Sequence, residues 1–159
     1  MTTKMEICIK KETQFPQEIP SIETDVETVF IPIIGSVEEL AHAAYLASLA
    51  DQSREGKLLA KAAIQAIGLI HLPVEFELIA ANPGSSLSGV NLKNSKIREG
   101  TLESVEKWIG TLGGHIHGQV HALVKQVSDS GDKAIVIASE KLVLGVVVLK
   151  MVKAECENY

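Results

Sequence analysis

Residues Gly35–Lys57 read G-S-V-E-E-L-A-H-A-A-Y-L-A-S-L-A-D-Q-S-R-E-G-K. Ser36, with Glu39 three residues on, has the pattern of a capping box, in which hydroxyl and carboxylate satisfy backbone N–H groups at a helix start. The helix that follows runs to about Asp51. Its inward stripe is Val37, Leu40, Ala44 and Ala47, spaced three or four apart, with Ala43 and Ala50 beside it. The alanines let the helix lie close to whatever it packs against. Ser53 is placed to cap a second helix, Arg54–Ile67, closed by Gly68. Two short helices joined at Gln52-Ser53 make a helical hairpin.

Strands surround this hairpin. Val29–Ile34 is β-branched and apolar and ends at Gly35, and Val74–Ala80 alternates apolar with polar residues. Asn82–Ser88 is turn chemistry. Gly89–Leu92 and Lys96–Glu99 flank Lys93-Asn94-Ser95 as a β-hairpin. Thr101 caps a helix to about Leu112, stopped by Gly113-Gly114, and another runs from about His117 to Ser128. Ile135–Ala138 and Leu142–Leu149 lie on either side of Ser139-Glu140-Lys141, a second hairpin signal. The fold class is α+β, an antiparallel sheet of about six strands flanked by two helical hairpins. Met5–Lys10 reads as a short edge strand, and Thr13–Glu27, with Pro16 and Pro20, as an irregular connection. Residues 1–28 therefore form an extension, 29–153 the module and 154–159 a tail.

A chain of 159 residues, 46% apolar and 22% charged, suits one domain with a real core and excludes a disordered one. The net charge of −5 is spread among interspersed residues, and aromatics are only 4%. Neither fits a nucleic-acid surface. Leu142–Leu149, the longest strongly apolar run, falls far short of the roughly 20 residues of a membrane span. The N-terminus lacks a secretory signal. A cytoplasmic, not membrane-spanning, protein is expected, with Cys8 and Cys156 as thiols rather than a disulfide.

Phosphate-handling motifs are missing. Gly84–Gly89 has the glycine spacing of a phosphate loop, but Val90 and Asn91 stand where lysine and a hydroxyl residue are needed. No Gly-x-Ser-x-Gly elbow fits the same segment. His115, His117 and His121 are close in sequence, and three imidazoles could hold a hydrolytic zinc. With no carboxylate or cysteine nearby in sequence, solvated histidines at a helix start are the preferred reading, and no metal is expected. Trp108, in mid-helix, reads as core.

Three stretches carry a family resemblance: Gly35–Lys57, Leu87–Thr101 (L-S-G-V-N-L-K-N-S-K-I-R-E-G-T) and Gly131–Lys150 (G-D-K-A-I-V-I-A-S-E-K-L-V-L-G-V-V-V-L-K). Together, across Phe30–Lys153, the chain resembles the nucleotide-binding (N) domain of the B subunit of the Kdp-type potassium-transporting P-type ATPase. In that family the domain delivers ATP to a phosphorylation domain whose Asp-Lys-Thr-Gly-Thr motif accepts the γ-phosphate. Neither that motif nor the magnesium-binding Thr-Gly-Asp occurs here. The expectation is a stand-alone module, favoured by the initiating Met1 and an unrelated tail. It is no enzyme and neither autophosphorylates nor transports ions by itself.

The resemblance also implies a site. The family's Glu-Gly is matched by Glu55-Gly56 and its Ser-Gly by Ser88-Gly89. The aromatic residue that stacks on adenine falls at Ala81, and the Lys-Gly pair on the other face of the base becomes Glu99-Gly100. Phe76 is the only nearby aromatic, and reaches the site only through a register shift. Losing one base–aromatic stack costs about 1–3 kcal/mol. Exchanging a cation for a carboxylate beside a polyphosphate adds repulsion of about 1 kcal/mol or more. Together these remove roughly one to three decades of affinity. The expected ligand is thus an adenine nucleotide, ATP, held at most weakly, with no cofactor required. The alternative is a regulatory or interaction protein that keeps the fold, loses the ligand and docks on a protein partner, a transport ATPase or another.

Overall fold

Strands Val26–Pro32 (β1), Phe76–Ile79 (β2), Ser88–Leu92 (β3), Lys96–Gly100 (β4), Lys133–Ser139 (β5) and Leu142–Met151 (β6) form one sheet in the order β1-β6-β5-β4-β3-β2. Every neighbouring pair is antiparallel. This computed structural model describes residues 26–68, 70–82 and 84–151. The strand expected at Met5–Lys10, the connection at 13–27 up to residue 25, and the two cysteines lie outside the described residues. Helices Val37–Ser48 (α1) and Arg54–Ile67 (α2) make the first hairpin, and Leu102–Thr111 (α3) and Gly118–Asp129 (α4) the second.

The hairpins cover opposite faces of the sheet. Side chains alternate along a strand, and here both faces are apolar. Ile135, Ile137, Val147 and Leu149 join Leu40, Ala43, Ala44, Leu46, Ala47 and Leu59 beneath α1 and α2. Val136, Ala138, Val146 and Val148 join Val105, Ile109, Ile116, Val120 and Val127 beneath α3 and α4. The unbroken apolar run in β6 follows directly, because a strand buried on both faces has no polar side to show.

Local signals set the helix ends. Ser36 accepts from the Glu39 amide at 3.1 Å, and Glu39 accepts from the Ser36 amide at 2.9 Å, completing the capping box. Gly35, just before it, takes φ +79°, a conformation that favours glycine. The inward face of α1 departs from the expected stripe. Val37 is 41% exposed at the first turn, whereas Ala41 and Leu46 are buried. The cause is that α1 lies between the sheet and α2, so more than one stripe is covered.

Element limits shift where pairing decides them. β1 begins at Val26, opposite Met151, and ends at Pro32. There the chain turns, and the amides of Ile33 and Ile34 both donate to the Leu144 carbonyl. β2 is shorter than its alternation suggests, four residues at the sheet edge, with Val74 fully exposed outside it. Glu140 and Lys141 form the turn between β5 and β6, Glu140 with φ 52°, which costs a non-glycine residue on the order of 1 kcal/mol.

Candidate functional site

Six of the seven residues assigned by resemblance converge at one end of the sheet. Ser88 opens β3 and pairs with Glu99 of β4, so the two side chains point to the same face, the one covered by α1 and α2. Gly89 and Gly100 follow in the same two strands. Each is pressed against backbone. A Cβ on Gly89 would run into the Ile97 carbonyl oxygen, and one on Gly100 would stand 2.9 Å from the Ser86 carbonyl oxygen. Glu55 and Gly56 belong to the first turn of α2, capped by Ser53, whose hydroxyl accepts from the Gly56 amide at 3.2 Å. A Cβ on Gly56 would lie 2.5 Å from the Asp51 carboxyl carbon, so glycine lets the turn wind closely here.

The seventh, Ala81, is exposed beyond the end of β2, and none of the described hydrogen bonds or ion pairs involves it. Phe76 does not take its place. It pairs with Leu92, three residue pairs along the ladder from the Ile79–Gly89 pair, or about 10 Å at strand rise.

Glu99 is the unusual group. It is only 2% exposed, yet no Lys or Arg among the described residues forms an ion pair with it. Its side-chain hydrogen bond comes from the Ser88 hydroxyl, which donates to Oε1 at 3.4 Å, and the Asp51 carboxyl is near enough to bear on its proton. Burial is the main reason its carboxyl is pushed up to about 8, the nearby Asp51 carboxyl adds to this, and Ser88 and Lys133 oppose it. Glu99 therefore holds its proton to much higher pH than an ordinary glutamate. Burial works to raise Asp51 as well. Hydrogen bonds from the Ser53 side chain and amide, the nearby Glu99 and the charge of Lys133 outweigh that and hold it below the usual carboxylate range. Lys133, at the start of β5, pairs with Glu55 at 3.1 Å. Glu55 is lowered first by its own backbone amide and then by Lys133.

The histidines do not converge. His117 occupies the cap position of α4 without a side-chain cap bond, and His121 turns its Nε2 to Glu106 of α3 at 3.0 Å. Among the described residues no three His, Cys, Asp or Glu side chains gather as a metal site. Trp108 packs against the second core, and the Arg98 guanidinium lies 5.1 Å from its ring centroid.

No protein-family model matches the chain. Curated relatives do. The potassium-transporting ATPase ATP-binding subunit of Erwinia tasmaniensis is 36% identical over 127 residues, covering 77% of this chain and 19% of the relative. That of Clostridium botulinum (strain Alaska E43) is 37% identical over 125 residues, covering 76% and 18%. Among solved structures, the N-domain of HMA8, a copper-transporting P-type ATPase, superposes with a TM-score of 0.60 at 13% identity, covering 77% of this chain and 96% of that one. A zinc-transporting PIB-type ATPase matches with a TM-score of 0.63 at 15% identity, over 84% of this chain and 20% of that one. Over about three quarters of its length the chain is similar to potassium-transporting ATPase ATP-binding subunits, and its fold is that of the P-type ATPase N-domains. It spans 19% of the length of the first of these relatives.

Two groups at the candidate site of this N-domain fold escape the sequence reading. Asp51 reads as the end of a helix, although Asp-Gln-Ser is an Asx-type turn in which Asp51 Oδ1 accepts from the Ser53 amide at 2.9 Å. Lys133 gives no local signal, because only sheet register carries the start of β5 to the first turn of α2. No helix among the described residues of the N-domain is long and apolar enough to cross a membrane.

Proposed function

We propose that this chain is an N-domain-like module with an attenuated adenine-nucleotide site, which holds ATP at most weakly and by itself neither hydrolyses it nor transports ions. The observation that carries the reading is Glu99, buried at 2% exposure where the resembling family has lysine and bonded inward to Ser88. A carboxyl so engaged offers a polyphosphate no positive charge. Ala81 supplies no ring for a base to stack on, a loss of about 1–3 kcal/mol. What remains for a ligand is the backbone of Gly89 and Gly100, the Ser88 hydroxyl and the Glu55–Gly56 turn. No cofactor is required on this reading, and the setting is the cytoplasm.

A titration of ¹⁵N-labelled protein with magnesium-ATP tests it. Amides of Glu55, Gly56, Ser88, Gly89 and Gly100 are expected to shift together with half-saturation at roughly 1 mM or weaker. Saturation in the low micromolar range overturns the attenuation. Complete absence of shifts removes nucleotide binding and favours the second reading, an interaction protein that retains the fold. The burial of Glu99 and its bond from Ser88 support that reading too, since the carboxyl is turned inward.

A further inference from the structure

An ion pair ties the first turn of α2 to the sheet. Lys133 opens β5 and pairs with Leu149 of β6. Alternation with Ile135 and Ile137 turns its side chain to the face covered by α1 and α2. β4 ends at Gly100, opposite Val136, so β5 runs on past it for three residues, about 10 Å at strand rise. That overhang brings the lysine to α2, where Nζ stands 3.1 Å from Glu55 Oε2. Among the described residues no other side-chain hydrogen bond or ion pair links α2 to the sheet, and the bonds of Ser53 with Asp51 and Gly56 are local to the turn.

The pair is half exposed, 50% at the lysine side chain and 39% at the glutamate, so it adds little to global stability. Its effect lies in where Glu55 sits. Glu55 belongs to the first helical turn, where its own backbone amide also draws the carboxylate. Lys133, anchored by its ladder to β6, draws that carboxylate toward the end of the sheet where Gly89 and Gly100 lie. We propose that Lys133 is a positioning residue of the candidate site, whose ammonium group holds the Glu55 carboxylate, and with it the Glu55–Gly56 turn, in place for an adenine nucleotide. The role rests on the nucleotide reading given above. Lys133 acts through Glu55, so its removal leaves the site's own residues unaltered and changes only how one of them is held.

Lys133→Met, which keeps the apolar stem and removes the charge, and Lys133→Arg, which keeps a cation, test it on the full 159-residue chain. Lys125→Met is the control, since it removes the same charge from an exposed pair with Asp129 on α4. The Glu55 carboxyl, held below its ordinary value of 4.5, is followed by its ¹³C shift. It is expected to move up toward 4.5 in Lys133→Met and to stay low in Lys133→Arg and Lys125→Met. Half-saturation by magnesium-ATP, read at the Glu55 and Gly56 amides, is expected to weaken about two- to fivefold in Lys133→Met relative to Lys125→Met, and Lys133→Arg to recover most of the loss. A Glu55 titration that Lys133→Met leaves unchanged, or ATP binding that it weakens no more than Lys125→Met does, overturns the role of Lys133 and leaves the nucleotide reading standing. ATP shifts absent from the unaltered chain overturn that reading, and the role of Lys133 with it.

Discussion

Gly89→Ala is expected to leave little folded protein. Gly89 lies in β3, paired with Ile79 on one side and Arg98 on the other. An added Cβ would collide with the Ile97 carbonyl oxygen and stand 2.9 Å from the Arg98 Cα. Both are backbone atoms in the middle of a sheet, so no rotamer change relieves the clash. Only parting β3 from β4 does, and with it goes the Ser88–Glu99 pair. We expect a loss of about 4 kcal/mol or more, the size reserved for severe overpacking. Against a total stability of about 5–15 kcal/mol this removes much of the fold. Urea titration followed by circular dichroism measures it. Gly110→Ala is the control, because a Cβ there meets nothing within 4 Å and the residue sits in helix α3. It should gain about 0.5–1 kcal/mol from helix propensity. Similar melts for the two variants would contradict the packing account.

The second large effect is a fall in stability with rising pH. Glu99 keeps its proton in the folded state up to about 8, whereas in the unfolded chain it gives it up near 4.5. Between these values the unfolded state binds fewer protons, so stability is highest toward the lower value and drops until pH passes 8. The raise corresponds to a loss on the order of 5 kcal/mol. Asp51 works in the other direction. Its lowered folded-state value contributes stability above 3.8, which is lost as pH falls through the acid range. The two together place the optimum in mildly acidic solution. Urea midpoints measured from about pH 2 to 10 should rise to a maximum near pH 4 and then fall until about pH 8, with Glu99→Gln removing most of that decline. A profile flat between pH 5 and 9, within about 1 kcal/mol, would contradict the burial of an unpaired acid.

Much of this architecture is written locally. The box at Ser36 and Glu39, the cap at Ser53, the stop at Gly68 and the β-branched runs in β5 and β6 each set an element through neighbouring residues, and these elements form where they are expected. Val37 fails as a core residue because helical spacing identifies a face without saying what covers it. The site divides in the same way. Ser88, Gly89, Glu99 and Gly100 meet through a hairpin that the sequence already shows. The nearness of Asp51 to Glu99 does not show, nor does the pairing of Lys133 with Glu55. Lys96–Gly100 carries three charged residues, Lys96, Arg98 and Glu99, yet Ile97, Arg98 and Glu99 are all buried because helices lie on both faces. Burial of a charge is a property of the layers above and below it, and no short window of sequence contains them.

The strand order has one more consequence. β1 and β6 are neighbours, and Val26 faces Met151 across a single ladder step. The described region thus starts and finishes about 5 Å apart, one strand spacing. A host protein could carry such a unit in a surface loop without parting the loop's own ends, and a short linker could join residues 26 and 151 while new termini are opened elsewhere. The two-strand stalk would then serve as the mechanical connection through which any tilt of the unit reaches its host.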